Sequence, residues 1–479
     1  MSDGSRPIAR LAATALAATA LAATATVVVV VTAGATATAR SHLGHPLAPP
    51  GYVPGEVLVG YAGTPSRSTA AARLRTMGVR ASAAPSPEPG TAILRVPAGE
   101  SVPQALARLR TVPGVAYAVP NYVAHIAGSW IPNDPGRTRQ RGGWQKTQWN
   151  FLAGAGVNAP AAWANLRVDG RPGGRGVVVA LLDTGVAYRS WGSYVESPDF
   201  KGARFVHPYD FVANNAFPLD REGHGTFVAG EIAEATNNGF ALTGLAYGAT
   251  IMPLRVLDAS GTGDAATIAR GVRYAAAHGA QIINLSLEFG IGVGATDIPD
   301  LISAIRFAQQ HGVLVVGAAG NDQTSQIAYP ARASGVVAVG ATTADRCLAW
   351  YSNTGPGLTL VAPGGDDDTT AGPGCHPDRN LPSISQLTFA ARSNPRRFGY
   401  QAGVYGTSMA AAEVAAAAAL VIASGVVGRH PAPQQVIARL EQTARPLDNA
   451  PRPDSSSGYG LIDAGAATSR SGAVHRTRA

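Results

Sequence analysis

Val177-Val178-Val179-Ala180-Leu181-Leu182-Asp183-Thr184-Gly185 is an apolar run without a polar break, closed by a carboxylate and a Thr-Gly turn. A strand with one wet face would alternate polar and apolar residues. One that does not alternate is covered on both faces, as in the interior of a parallel sheet. This reading sets Asp183 at the C-terminal tip of the strand, the edge of an α/β sheet at which reacting groups collect. Alone, the same Asp183 also suits a capping role.

Downstream the pattern recurs. Residues 250–257 read as strand and 264–278 as helix, 281–287 as strand and 297–311 as helix, with further strands at 313–316 and 336–339. Such alternation predicts an α/β layered fold whose mostly parallel central sheet carries helices on both faces.

Two further stretches hold chemistry-bearing side chains. Gly223-His224-Gly225-Thr226-Phe227-Val228-Ala229-Gly230 places an imidazole between glycines at the head of a small-residue helix, where it can approach another backbone closely. A turn histidine with satisfied bonds reads the same way. Gly406-Thr407-Ser408-Met409-Ala410-Ala411 drops a hydroxyl onto the start of an Ala-rich helical run reaching about Leu420. Unpaired N–H groups at a helix start can hold an anionic oxygen beside that hydroxyl, although serine is also an ordinary N-cap. Each residue has a bland explanation by itself; together they supply an orienting carboxylate, a base and a nucleophile.

In the order Asp183, His224, Ser408, inside DTG, GHGTxVAG and GTSMA, the sequence resembles the subtilisin-like serine proteases, or subtilases, over roughly residues 130–468. Val313-Leu314-Val315-Val316-Gly317-Ala318-Ala319-Gly320-Asn321-Asp322 resembles the strand and turn that carry the family's oxyanion-hole asparagine, here Asn321. The resemblance implies a three-layer α/β fold and a serine endopeptidase that needs no cofactor for catalysis. Asp183 would orient His224, His224 would take the proton of Ser408, and the Asn321 amide with the Ser408 N–H would hold the oxyanion. It further implies a peptide cleft lined by Ser286, Leu287 and Glu288, by the turn at 258–263, and by Ala318, Ala319 and Gly320.

Three features complicate the match. Glu288 stands where the family usually has glycine, and either crowds the cleft or favours a basic substrate side chain. Ala412-Glu413 replaces the usual Pro-His, and loss of the proline is expected to loosen the first turns of the Ser408 helix. Thr236-Asn237-Asn238 resembles the family's metal loop, and Asp210, Asn214 and Asp220 add oxygens nearby. Structural calcium is therefore an expectation without assigned ligands, since surface turns account for the same residues. Asp366-Asp367-Asp368 is equally open.

A chain of 479 residues holds a catalytic domain of about 300 plus accessory segments. Lysine occurs only at Lys146 and Lys201, and the net charge of +8 is arginine spread along the chain, a solvated basic surface with no nucleic-acid motif. Residues 1–39 carry Arg6 and Arg10 ahead of an uncharged stretch from Leu11 to Ala39, with Ala37-Thr38-Ala39 fitting a cleavage site. This is the pattern of an export signal, with an uncleaved membrane anchor as the rival.

After a linker at 40–51, residues 52–127 read as a compact α+β unit, with strands at 55–61 and 91–96 and a helix at 101–110. Its close at 113–125 resembles the end of subtilase propeptides. That implies a ferredoxin-like propeptide that assists folding, occupies the cleft and is removed by the enzyme itself; a permanent separate domain is the alternative. The peptidase domain takes 128–468, and a basic tail 469–479. Cys347 and Cys375, the two cysteines of the chain, suit a disulfide in an exported protein better than a metal pair, which needs more ligands. The expectation is a secreted, monomeric, self-processing zymogen acting on proteins or peptides and inhibited by its own propeptide. A catalytically impaired scaffold that binds proteins is the alternative.

Overall fold

The computed structural model describes residues 52–63, 72, 80–81, 90–97, 99–122 and 130–470, the last run with breaks at 371–373, 392–393, 402 and 450. The signal or anchor segment, the linker, the junction at 123–129 and most of the basic tail lie outside the described residues.

The N-terminal unit is a four-stranded antiparallel sheet in the order β2-β3-β1-β4, made of β1 Tyr52–Tyr61, β2 Arg80–Ala81, β3 Thr91–Arg95 and β4 Val115–Tyr122. Helix α1, Val102–Leu109, follows a Ser101/Gln104 capping box. Its apolar residues recur at helical spacing, so Val102, Ala105, Leu106 and Leu109 share a small core with Val57, Val59 and Leu94. The α+β reading of this unit holds.

The larger unit opens with α2, Ala159–Val168, and is built on an eight-stranded sheet. Its strands are β5 Val178–Asp183, β6 Arg204–Phe205, β7 Tyr209–Asp210, β8 Thr250–Arg255, β9 Ile282–Leu285, β10 Leu314–Ala318, β11 Val337–Thr342 and β12 Leu360–Pro363. They run in the order β12-β11-β10-β9-β5-β8-β6, with β7 also on β8, and every pairing is parallel. Helices α3 His224–Ala233, α4 Ala265–Ala277, α5 Pro299–Gln310, α6 Thr407–Ser424, α7 Pro433–Thr443 and α8 Ala464–Thr468 complete the layers, with a hairpin of β13 Leu387–Phe389 and β14 Phe398–Tyr400.

The opening stretch explains the layering. Along β5, Val179 and Leu181 enter the core that holds α3 and α6, while Ala180 and Leu182 enter the one that holds α4 and α5. Alternate side chains of a strand point to opposite faces, so an unbroken apolar run needs a cover on each. The central element is α6: every residue from Thr407 to Ser424 is buried except Ser408. It is long and apolar enough to cross a bilayer, but here it lies against β9 to β12, α3, α7 and α8. The Ala412-Glu413 departure leaves it unbroken, because both side chains are packed in the interior and Ala is a stronger helix former than the proline it replaces. Its first turns are continuous helix without the proline.

Candidate active site

Asp183 ends β5, fully buried, its Oδ1 accepting the Thr184 N–H at 2.7 Å. His224 begins α3, and its Nδ1 lies 2.8 and 3.0 Å from the two Asp183 oxygens. A carboxylate there holds the proton on Nδ1 and leaves Nε2 free to accept one. The helix can come this close because residue 225 is glycine: a β-carbon would stand 2.1 Å from the Gly185 carbonyl oxygen and 3.0 Å from Asp183 Oδ1.

Asp220, considered above as a calcium ligand, has a different task. Its Oδ1 accepts the Thr184 hydroxyl (2.9 Å) and the N–H groups of Glu222 (2.9 Å) and Gly223 (3.0 Å), and its Oδ2 accepts Thr226 N (2.9 Å) and Oγ1 (2.5 Å). This buried carboxylate ties the DTG turn to the start of the histidine helix. Burial alone would lower the His224 pKa, but the Asp183 charge and hydrogen bond, with Glu222 and Asp220 behind, outweigh it and raise it to about 9.

Ser408 sits in the first turn of α6, after Gly406, whose φ of +149° is open essentially to glycine alone. Its hydroxyl donates to the Ser286 carbonyl at 3.3 Å, and the Ser286 hydroxyl donates back to the Ser408 carbonyl at 2.8 Å. Asp183 and His224 are thus directly bonded. Ser408 lines the same cleft as His224, its hydroxyl engaged by Ser286; catalytic hydrogen bonds commonly tighten only when substrate is present.

Asn321 follows β10. Its Oδ1 accepts Thr407 N at 2.8 Å and Thr407 Oγ1 at 3.1 Å, which orients the amide so that Nδ2 faces outward. The Nδ2 and the backbone N–H of Asn321 donate to Glu288, at 3.2 and 3.0 Å.

The cleft has a volume of about 380 Å³ and is lined by His224, Ser408, Asn321, Ser286, Leu287, Glu288, Ala318 and the turn residues Gly261 to Gly263. Ala319 and Gly320 stand behind this wall, Ala319 in a core with Ile327 and Ala331, Gly320 donating its N–H to Thr407 Oγ1 at 3.2 Å. Thr184, Glu222 and Phe289 also line the cleft. They adjoin recognised motifs, and that adjacency was the one available signal.

The oxygens near the 236–238 loop are not those anticipated. Asp210 pairs with Arg255 at 2.9 Å, Asn214 accepts the Tyr209 hydroxyl at 2.9 Å, and Asp220 is committed as described. Instead Asp134, from the Asn133-Asp134-Pro135 stretch, accepts the N–H groups of Asn237 and Asn238, and Asp199 accepts Asn238 Nδ2 at 2.8 Å. Glu234 adds a fully buried carboxylate beside them. Burial first, then the charge of Asp134, pushes Asp199 up to about 7; burial, then Asp199, pushes Glu234 well above the carboxylate range. Both oxygens of Asp134 and of Asp199 accept N–H groups, and the Asn238 amide turns its N–H to Asp199 and its oxygen to the Phe240 N–H, so these side chains form a hydrogen-bonded cluster and not a gathered set of cation ligands. The 366–368 acids serve local bonds, Asp366 to the Trp350 indole, Asp367 to Leu381 N and Asp368 to Thr343 Oγ1 and His376 N.

Glu413 on α6 accepts Asn150 Nδ2 at 2.7 Å and meets Glu231 of α3 in the same interior. Burial raises both pKa values well above the ordinary range, and at Glu413 the second carboxyl adds to it. Cys347 and Cys375 form a disulfide, with Cα atoms 5.8 Å apart.

Comparison with known proteins gives the same picture. Residues 174–460 match the model of the subtilase family, and residues 45–121 match that of the fervidolysin N-terminal prodomain. The chain is 33% identical over 374 residues to a thermophilic serine proteinase of Bacillus sp. (strain AK1), covering 78% of this chain and 79% of that one. It is 35% identical over 300 residues to subtilisin Savinase of Lederbergia lenta, covering 62% of this chain and 91% of that one. Among solved structures it is similar to a protease from Pseudoalteromonas arctica PAMC 21717, with a TM-score of 0.55 and 29% identity, over 71% of this chain and 99% of that one.

Proposed function

This chain belongs to the subtilase family and is a serine-type endopeptidase; from that premise we propose that Asp183, His224 and Ser408 are its catalytic triad. The observation that carries the proposal is the Asp183–His224 pair, bonded at 2.8 Å at the edge of the cleft that Ser408 also lines.

The chemistry follows from what each group can do. A neutral serine hydroxyl is a weak nucleophile, so His224 Nε2 takes its proton as Oγ attacks the scissile carbonyl. The new C–O bond pushes the carbonyl electrons onto oxygen, where the Ser408 N–H and Asn321 Nδ2 are the donors in reach. Asp183 keeps the ring in the correct tautomer and stabilises the imidazolium. Collapse expels the amine, which receives the proton from His224 and leaves an acyl-enzyme; water repeats the sequence in reverse. The turn at 258–263 and Ser286 to Glu288 would pair with an extended peptide.

The α+β unit at 52–127 acts as a propeptide that the peptidase domain, 128–468, removes after folding, and residues 1–39 direct export. The prodomain match and the Ala/Val-rich N-terminal segment support this order. Structural calcium, common in the family, would brace the fold and take no part in peptide hydrolysis; the cluster of Asp134, Asp199, Glu234 and Asn238 does not define its ligands. Fluorophosphonate labelling, with Ser408→Ala as control, tests the assignment. An unlabelled wild-type protein would favour a binding scaffold instead. N-terminal sequencing of the exported product tests both processing bonds.

A further inference from the structure

Glu288 turns its carboxylate onto Asn321, the residue whose amide the reaction needs free. Oε2 accepts the Asn321 backbone N–H at 3.0 Å and Oε1 the side-chain amide at 3.2 Å. The carboxylate lies over Gly320, where a β-carbon would come within 2.5 Å of Oε2. The amide cannot simply turn aside, because its Oδ1 is held by both Thr407 donors. A developing oxyanion at this amide would meet a carboxylate already in place, and two negative oxygens at such range repel each other.

The surroundings leave that charge unbalanced. No arginine or lysine lines the cleft, and Glu288 makes no ion pair among the described residues. The other acid of the lining, Glu222, is committed to the His224 N–H at 2.8 Å. Asp322, next in sequence to Asn321, adds negative charge beside Glu288. The Glu288 side chain is open to solvent, so an incoming cation can reach it.

We propose that Glu288 is a substrate-released latch: in the free enzyme it occupies Asn321, and an arginine or lysine on the residue that supplies the scissile carbonyl draws it off, freeing the amide and directing cleavage to basic residues. The inference rests on the active-centre assignment made above. A guanidinium offers paired N–H donors that match a carboxylate better than two amide hydrogens do, so the exchange favours the cationic substrate. Because the gain is realised only when the oxyanion forms, it should appear in kcat more than in KM.

Three peptide amides identical except for arginine, citrulline or alanine at that position make the test. Citrulline keeps the shape of arginine without its charge. The mature wild-type enzyme should cleave the arginine peptide at least about tenfold better than the citrulline peptide, mainly through kcat. Glu288→Gln and Glu288→Gly should bring that ratio close to one while raising kcat on the two neutral peptides. Fluorophosphonate labelling of the same preparations reports the active centre. A labelled wild-type enzyme without the arginine preference, or a preference that survives in either labelled variant, overturns the latch and leaves the protease assignment standing. A wild-type enzyme that does not label overturns both.

Discussion

In the proposed triad His224 carries the acid–base work, and its environment fixes the pH at which it can do so. It must be neutral to accept the Ser408 proton, and its pKa is raised from 6.5 to about 9. kcat/KM should therefore climb as pH rises through the alkaline range, with a midpoint above 6.5 and toward about 9. Asp183→Asn removes the main charge that raises it, so the midpoint should fall back toward 6.5 and kcat drop about 10⁴-fold, as for other triads; pH–rate profiles of both proteins decide this. Asn321→Gly should lower kcat by about 10²–10³ with little change in KM, a magnitude established for this family's own oxyanion asparagine. Steady-state kinetics on the arginine peptide, for which the latch releases the Asn321 amide, checks it. That Asp183 meets His224, and that Ser408 and Asn321 line the same cleft as His224, was legible because each lies in a short motif whose residue types the chemistry restricts. The bonds of Asp220 and the grip of Glu288 on Asn321 were not, since they join residues that only the fold brings together.

The interface between α3 and α6 holds two acids where an apolar pair would cost less. Burial raises the pKa values of Glu231 and Glu413 in the folded state, whereas the unfolded chain releases those protons above about 4.5. The stability this pair contributes is full below that pH and declines as pH rises toward the folded values, by at most about 1.4 kcal/mol per unit for each group. Glu413→Gln keeps an acceptor for Asn150 and carries no proton to lose. Its melting temperature should match the wild type near pH 4 and exceed it increasingly as pH rises above about 4.5, as differential scanning calorimetry would record. At this scale the long elements were legible from periodicity, including α4, α5 and the strands beside β5. The strands β12, β13 and β14 and the helices α7 and α8 were not singled out: the strands are three or four residues long, too short for a period to register. The N-terminal edge of α6 was read correctly, but its C-terminal end lies at Ser424, beyond Leu420, because Gly425 at φ +68° stops it rather than any loss of apolar residues.

Across the whole molecule, links between distant segments set stability. If the chain binds a structural divalent cation, EDTA should lower the melting temperature of wild type and calcium should restore it. The 347–375 bridge spans a sequence separation of 28, for which the chain-entropy estimate is about 3.6 kcal/mol. Cys347→Ala with Cys375→Ala should lose stability of that order in urea titration while leaving fluorophosphonate labelling at low temperature unchanged. Strand order has a kinetic corollary. The first strand of the large sheet, β5, lies between β8 and β9, so its second neighbour arrives about a hundred residues later. Such non-local pairing is slow, and until it completes, an unpaired edge is open to digestion by copies that have already matured. The yield of this protease is then set by a race between folding and cannibalism, which dilution during refolding should shift toward the folded product.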